Sequence, residues 1–229
     1  MATYVLCHGG WAGGWQWKEV AGRLRAEGHE VYTPTFTGLG DRSHLLNRSI
    51  DLNTYIQDLV MVLRYEDLHD VTLVGYSMSG IVISGAAEQA PERIQRLVYL
   101  DAYLVEDGQS FADLVGPEIM GYVRGAAEAY GDGWLVPHNP PDADRRVPMP
   151  LAVCYTTIPQ KNPLANQLPR TFIYCTRGGE DIGPLHIPID MAAEKVQNLP
   201  NWKYVEIKSG HMPMWTEPEK LVEVLTANL

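Results

Sequence analysis

A serine, an acid and a histidine follow one another along the chain, each close to the end of an apolar segment. Ser77 lies in the stretch GYSMSG, 75–80, Asp101 ends the apolar run 98–101, and His211 comes after the last such run. A serine hydroxyl is a weak nucleophile until a base takes its proton, and a histidine oriented by a carboxylate is suited to that task. The order of these residue types therefore predicts a nucleophile at Ser77, with His211 as its base.

A glycine-rich turn, His8-Gly9-Gly10, follows the first apolar segment of the chain. The oxyanion that forms when a serine attacks a carbonyl group needs preorganised donors, and two backbone N–H groups can supply them. We expect one from Met78, which follows the nucleophile at the start of a helix, and one from Gly10. His8 itself is expected to be structural, with its ring bonded to the backbone of the loop.

The segments that carry these residues alternate between strand-like and helix-like patterns. Short apolar runs predict strands at 4–7, 31–35, 71–76, 97–101, 171–175 and 203–207. Amphipathic segments predict helices at 15–27, 51–63, 78–90, 187–199 and 217–229. This alternation predicts an α/β fold with a doubly wound, mostly parallel sheet, in which the strand carboxyl ends meet at one ligand-binding edge.

The segment 104–165 breaks the alternation, because it mixes short helical pieces with proline-rich polar stretches such as 137–141. It falls between two predicted core strands, so we expect a small cap over the carboxyl edge, with residues 1–103 and 166–229 forming the core. The side chain of Trp134 could have either of two roles: it could close over the substrate, or it could brace the cap. The side chains expected to line the substrate pocket are Trp11, Tyr103, Met120, Trp134 and Met212.

Composition limits the classes of partner. The chain has 229 residues, 45% of them hydrophobic, and a formal net charge of −10. This acidity argues against nucleic acid or an anionic membrane as a partner, and no segment has the ~20 apolar residues of a membrane span. Three widely spaced cysteines, with no secretory signal at the N-terminus, favour the cytoplasm. A homodimer is compatible with the sequence.

Metal and cofactor sites are not predicted. The glycines after the first strand do not fit a dinucleotide-binding fingerprint, so no cofactor is implied. The cysteine spacing does not fit a zinc site. The remaining histidines show no ligand spacing and are expected to be surface or locally bonded groups: His29, His44, His69, His138 and His186.

Four motifs of the chain carry a resemblance to a known family: His8-Gly9-Gly10-Trp11-Ala12-Gly13-Gly14-Trp15-Gln16-Trp17, Thr37-Gly38-Leu39-Gly40, Gly75-Tyr76-Ser77-Met78-Ser79-Gly80 and Gly210-His211. Together they resemble α/β-hydrolases of the group that contains plant methyl-salicylate esterases, hydroxynitrile lyases and their bacterial esterase relatives. The resemblance covers nearly the whole chain and is weakest in the predicted cap. It implies Ser77 as nucleophile, His211 as base, and Gly10 and Met78 as oxyanion-hole donors.

The chain departs from the family pattern at two places. Ser79 replaces the usual glycine two residues after the nucleophile, where we expect a small residue to be tolerated. The plant enzymes place their acid at about Gly178, with Asp181 and Glu180 close behind it in this chain. We favour Asp101, because a strand end holds an orienting group more rigidly than a glycine-rich loop; Asp181 or Glu180 is the alternative.

The sequence therefore predicts a serine hydrolase that cleaves a small, mainly apolar carboxylic ester through an acyl-enzyme on Ser77. No lysine or arginine is predicted to be positioned for an anionic substrate. A hydroxynitrile-lyase-like reaction on the same triad is one alternative, but those lyases carry a lysine directly after the histidine, where this chain has Met212. A non-catalytic binder of small ligands is the other.

Overall fold

The computed structural model describes residues 1–138 and 145–227. Its strands are β1 (Thr3–Cys7), β2 (Glu30–Tyr32), β3 (Val71–Tyr76), β4 (Ile94–Leu100), β5 (Leu135–Val136), β6 (Met149–Pro150), β7 (Arg170–Cys175) and β8 (Trp202–Ile207). Six of them form a parallel sheet in the order β2-β1-β3-β4-β7-β8, while β5 and β6 pair antiparallel in a small separate sheet. The predicted α/β fold with a doubly wound, mostly parallel sheet is confirmed.

Helices cover both faces of the large sheet. They are α1 (Lys18–Ala26), α2 (Leu52–Tyr65), α3 (Ser79–Gln89), α4 (Phe111–Tyr130), α5 (Pro163–Gln167), α6 (Gly179–Ile182), α7 (Ile187–Val196), α8 (Pro213–Thr216) and α9 (Pro218–Thr226). Buried residues of α2, α3 and α7 form one core cluster, and those of α1 and α9 form another. Within the described residues, no helix is both long and apolar enough to cross a membrane.

Strand β1 shows why the predicted strands are uninterrupted apolar runs. Val5 and Cys7 belong to one core cluster, whereas Tyr4 and Leu6 belong to the other. Successive side chains of a strand point to opposite faces, so a sheet covered on both faces needs apolar residues at every position. All three cysteines of the chain are free and buried.

Strand β2 is shorter than the predicted strand 31–35, because it ends at Tyr32. Pro34 has no N–H to donate to a sheet ladder. The Thr35 hydroxyl instead accepts the backbone N–H of Gly14 at 2.9 Å. The predicted helix 15–27 likewise begins as a 3₁₀ turn over Gly14–Trp17 before α1 starts.

The segment between β4 and β7 holds helix α4, the β5–β6 pair and α5. Helix α4 is kinked where Gly116 adopts a φ of +78° directly before Pro117. This segment is the one predicted to be a cap, and that role stays a prediction. Residues 139–144 of the predicted cap, including most of its proline-rich stretch, and residues 228–229 of the predicted core lie outside the described part.

Helix α2 is fixed at its start by a capping box. The Asp51 carboxylate accepts the backbone N–H of Thr54 at 3.1 Å, and the Thr54 hydroxyl accepts the N–H of Asp51 at 3.3 Å. Asp51→Ala should lower the free energy of unfolding by about 1 kcal/mol, because the backbone N–H of Thr54 loses its acceptor at the helix end. Urea unfolding followed by circular dichroism measures this loss.

Asp51→Ser is the matched control for this measurement. Serine keeps an oxygen that can cap the helix, so its unfolding free energy should lie close to that of the original chain. Equal stabilities of the alanine and serine variants would show that the capping box does not stabilise α2.

Candidate active site

Ser77 lies in the sharp turn between β3 and α3, here called the elbow, and has a φ of +55°. A non-glycine residue in this left-handed region is strained, so the surrounding structure must hold it there. Its N–H donates to the carbonyl of Leu100, and its carbonyl accepts the N–H groups of Gly80 and Tyr103, each at 3.1 Å. The Leu100 and Tyr103 bonds fix the strained turn against the end of β4, and the Gly80 bond joins it to the start of α3.

Two hydrogen bonds join Ser77, His211 and Asp101 in series. His211 Nε2 lies 3.1 Å from Ser77 Oγ, and His211 Nδ1 lies 2.7 Å from Asp101 Oδ2. The ring of His211 is 5% exposed, and Asp101 is fully buried. This is the geometry in which a histidine can take a proton from a serine while a carboxylate fixes its tautomer.

Asp101 is held rigidly at the end of β4. Its N–H donates to the carbonyl of Ile173 at 2.7 Å, and its Oδ1 accepts the N–H of Cys175 at 2.9 Å, so both contacts come from the neighbouring strand β7. Burial alone would raise the pKa of Asp101, but hydrogen bonds from His186 and His211 outweigh it and hold the pKa below its ordinary value. The carboxylate is therefore ionised and points at the base.

The alternative acids occupy other places. The carboxylate of Asp181 accepts the backbone N–H of His211 at 2.5 Å, so it contacts the loop that carries the base and not the imidazole ring. Glu180 is exposed. The sequence left open which of Asp101, Asp181 and Glu180 contacts the His211 ring. In the structure, Asp101 makes this contact.

Gly178 is the position at which the family resemblance implies an acid. A Cβ at Gly178 would lie 2.7 Å from Asp101 Oδ2 and would collide with Nε2 of His186. Strands β4 and β7 are neighbours in the sheet, so a side chain from the end of either one can reach the same point. The space beside Gly178 is filled here by the Asp101 carboxylate and the His186 ring.

His186 is the residue that the sequence interpretation missed. It was expected to be a surface or locally bonded group, but it is 3% exposed and its Nε2 lies 3.0 Å from Asp101 Oδ2. Its Nδ1 also lies 2.7 Å from Asp190 Oδ1. The Asp101 contact spans 85 residues of sequence, and no spacing rule could have found it.

The turn after β1 packs directly against the nucleophile. A Cβ on Gly9 would lie 2.9 Å from the Tyr76 ring and 3.3 Å from Ser77 Cβ, so glycine is required for this approach. The amides of Gly10 and Met78, predicted as oxyanion donors, donate to no other protein group within residues 1–138 and 145–227. Met78 also precedes the first turn of α3, where the helix dipole favours negative charge.

His8 and Ser79 brace this turn. His8 Nε2 accepts the N–H of Phe36 at 3.1 Å, and its Nδ1 lies 2.7 Å from the carbonyl of Gly9. Burial lowers the pKa of His8 to about 4, so the ring is neutral and donates through Nδ1. The hydroxyl of Ser79, fully buried, donates to the carbonyl of His8. Ser79 is therefore a link between the elbow helix and β1 as well as a small residue.

Two of the predicted pocket residues, Tyr103 and Met120, are buried. Each is 4% exposed, and both belong to the same apolar core cluster as Met78. The Tyr103 hydroxyl donates to the carbonyl of Leu185 at 3.0 Å, directly before His186. The backbone N–H of Tyr103 donates to the carbonyl of Ser77 at 3.1 Å, so Tyr103 lies beside the nucleophile turn.

The other three predicted pocket residues are more exposed. Trp11 is half-buried and donates its indole N–H to the carbonyl of Val136 at 2.9 Å. Met212 is half-buried, and its sulfur lies 3.2 Å from Nη2 of Arg146. An arginine that the sequence did not predict near the site therefore lies next to the residue that follows His211.

Trp134 lies in a different cleft. It lines a cavity of about 250 Å³ together with Tyr155, and the guanidinium of Arg48 lies 4.9 Å from the centre of its ring. A larger groove of about 600 Å³ runs beside α1, where Trp15 and Lys18 are among its lining residues. Neither cavity is lined by Ser77, Asp101 or His211.

The model of the alpha/beta hydrolase family matches residues 4–224, nearly the full length of the chain. The chain belongs to this family. The α/β-hydrolase is 33% identical to a carbendazim hydrolyzing esterase of Nocardioides sp. (strain SG-4G), over 99% of both chains. It is 27% identical to methylesterase 7 of Arabidopsis thaliana, over 97% of this chain and 94% of the relative.

A solved structure of an extracellular alpha/beta-hydrolase from a Paenibacillus species superimposes on this α/β-hydrolase with a TM-score of 0.81. It is 26% identical, over 99% of this chain and 98% of the other. The α/β-hydrolase fold and the resemblance to the methylesterase group are thereby confirmed. The predicted enzyme class, a carboxylic ester hydrolase, is confirmed by the same relatives.

The acid can be tested by two asparagine variants of the α/β-hydrolase. Asp101→Asn is expected to lower kcat by about 10⁴-fold. The asparagine amide can stabilise the wrong tautomer of His211, and it carries no negative charge to stabilise the His211 imidazolium. Asp181→Asn should change kcat less than about threefold, because its amide oxygen can still accept the backbone N–H of His211. Steady-state ester hydrolysis measures both values, and the reverse ranking would show that Asp181 is the orienting acid.

Proposed function

We propose that this α/β-hydrolase is a serine esterase that cleaves a small, mainly apolar carboxylic ester through an acyl-enzyme on Ser77. The observation that carries the proposal is the series of hydrogen bonds from Ser77 Oγ through His211 to Asp101 Oδ2. Ester cleavage is also the activity named for the Nocardioides and Arabidopsis relatives.

Acylation starts when Ser77 Oγ attacks the ester carbonyl carbon while His211 Nε2 accepts the hydroxyl proton. The resulting oxyanion is bound by the backbone N–H groups of Gly10 and Met78, and the imidazolium is stabilised by Asp101. His211 then donates its proton to the oxygen of the leaving alcohol. The carbon–oxygen bond to that alcohol breaks, and the acyl group stays on Ser77.

Deacylation repeats these steps with water. His211 takes a proton from the water molecule as its oxygen attacks the acyl carbon, and the same two N–H groups bind the new oxyanion. The proton returns to Ser77 Oγ as the acid product leaves. Each proton is thus returned within the cycle, and no cofactor is needed.

The substrate class follows from the surroundings of the elbow. Met78 and Tyr103, which lie beside Ser77, are apolar and buried, which suits an uncharged acyl or alcohol group. The guanidinium of Arg146 contacts His138 and the sulfur of Met212 and lies 5.4 Å from the centre of the Trp215 ring, and none of these contacts is to Ser77, Asp101 or the His211 ring. A neutral ester is therefore the substrate that we propose.

The cellular location and the binding partners of the enzyme are also proposals. We infer a cytoplasmic location from three free, buried thiols, which match a reducing compartment. A small ester is the partner that we propose, with no nucleic acid or membrane; a homodimer stays a prediction.

A lyase reaction on the same residues is the rival function. Met212 stands where a lysine would stabilise a leaving cyanide, and the cation beside it, Arg146, contacts its sulfur. We therefore expect purified protein to release no cyanide from a cyanohydrin under conditions in which it hydrolyses esters. Cyanide release that disappears in Ser77→Ala would replace hydrolysis by the lyase reaction.

The nucleophile can be tested by substitution and by covalent labelling. Ser77→Ala should lower kcat on para-nitrophenyl esters by roughly 10⁶-fold, because no other group can form the acyl-enzyme. A fluorophosphonate should add one phosphonyl group to the original chain, and peptide mass spectrometry should place it on Ser77.

Ser79→Ala is the matched control, since it removes the other serine of the same turn. It should still be labelled, although losing the bond to His8 should slow turnover modestly. Labelling that survives in Ser77→Ala, or that fails in the original chain, would overturn the proposed mechanism.

A further inference from the structure

The ring of His186 lies between two carboxylates. Its Nε2 is 3.0 Å from Asp101 Oδ2, and its Nδ1 is 2.7 Å from Asp190 Oδ1. The same oxygen of Asp190 accepts the hydroxyl of Tyr174 at 2.7 Å. The His186 side chain is 4% exposed, whereas that of Asp190 is 45% exposed. A second histidine is thus bound to the carboxylate that orients His211, and a surface carboxylate holds it from behind.

The two contacts define the protonation state of His186. A neutral imidazole carries one N–H, and an ionised carboxylate can only accept. Both ring nitrogens of His186 therefore donate only when the ring is an imidazolium. Asp101 already accepts from Cys175 and His211 as well, which favours its ionised form. The arrangement is a positive ring between two negative carboxylates.

We propose that His186, as an imidazolium held between Asp101 and Asp190, is a positioning residue for the esterase reaction that keeps the Asp101 carboxylate ionised and directed at His211. The inference rests on the proposed serine esterase function. His186 acts through Asp101, because Asp101 Oδ2 is the atom that both rings share.

The need for such a group follows from burial. Asp101 is fully buried, and a buried carboxylate is costly unless charge and hydrogen bonds compensate it. A base that takes the Ser77 proton must itself be unprotonated, so His211 supplies no charge to Asp101 at that stage. As an imidazolium, His186 supplies a positive charge to Asp101 before the reaction begins, and its hydrogen bond prevents Oδ2 from turning away from His211.

Titratable groups from four directions face His186. They are Asp101 at the end of β4, Asp190 on α7, Tyr174 on β7 and His211 after β8. Burial alone would lower the pKa of His186, but the hydrogen bond and charge of Asp101, followed by those of Asp190, raise it above its ordinary value. The imidazolium is therefore present below this raised pKa and is lost as pH rises through it.

Two amide variants separate the contacts of His186. The amide nitrogen of glutamine can take the place of Nε2 and donate to Asp101, whereas that of asparagine can take the place of Nδ1 and donate to Asp190. We expect His186→Gln to lower kcat about 10- to 100-fold with little change in KM, as when an outer partner of an oriented group is removed. His186→Asn should lose more activity, because Asp101 then loses both the charge and the bond.

The pH profile distinguishes positioning from a structural role. The ring centres of His186 and His211 are 6.2 Å apart, so removing the positive charge favours protonation of His211. The acidic limb of kcat/KM should therefore move to higher pH by about one unit in both variants. A merely structural loss would lower activity without moving this limb.

Asp190→Asn tests the charge without removing the ring. Its amide oxygen can still accept from Nδ1 of His186 and from the Tyr174 hydroxyl, and the site is partly exposed, so the fold should be kept. Without the negative charge, the pKa of His186 falls, and the alkaline decline of kcat should begin at lower pH. An unchanged alkaline decline would contradict the proposal.

Nitrogen-15 NMR of histidine-labelled protein gives a readout that needs no variant to be active. At neutral pH, His186 should show protons on both ring nitrogens, with the signals assigned by their loss in His186→Gln or their shift in Asp190→Asn. A single N–H on His186, or His186 variants with the kcat and pH profile of the original chain, would overturn the proposal. Ser77→Ala, measured in parallel, identifies failure of the esterase function itself, because that variant would then stay active.

Discussion

The buried carboxylate of Asp101 is the group on which the candidate site depends. It is fully enclosed, and its two oxygens accept from a backbone N–H of β7 and from two histidine rings. A charge in such a place is tolerated only when hydrogen bonds and opposite charge compensate it. The position of His211, and through it the alignment with Ser77, follows from where this carboxylate is held.

The order of strands in the parallel sheet makes this arrangement possible. Strand β4 lies between β3 and β7, so Ser77 after β3, Asp101 after β4 and the loop after β7 meet at the same edge. The shared edge also explains how β4 can supply this carboxylate although the family resemblance implies an acid after β7. The His186 ring and the Asp101 carboxylate occupy the space that a side chain at Gly178 would need.

The elbow is braced from several sides, as a strained turn requires. Ser77 is bonded through its backbone to the segment after β4, and Ser79 links the same turn to β1 through the carbonyl of His8. The sequence interpretation treated Ser79 as a tolerated small residue, because the spacing of glycines shows only where space is tight. Its hydrogen bond to His8 depends on two segments that are 71 residues apart. The same limit applies to Trp134, for which the sequence left closure over the substrate and a brace within the cap both open, and whose ring lies 4.9 Å from the Arg48 guanidinium.

The sequence by itself determined the alternation of strands and helices, the class of enzyme and the segments that carry Ser77 and His211. These follow from local patterns, because apolar runs, glycine turns and the order of residue types are all written within short windows. The tertiary structure decided which acid contacts the His211 ring and that His186 lies on the other side of that acid. Such contacts join residues that are 85 and 110 positions apart, and they depend on strand order, burial and loop shape. Burial is the physical reason, because a buried polar group is stable only when it has a hydrogen-bond partner. Residues so far apart in sequence can meet as partners only in the folded chain.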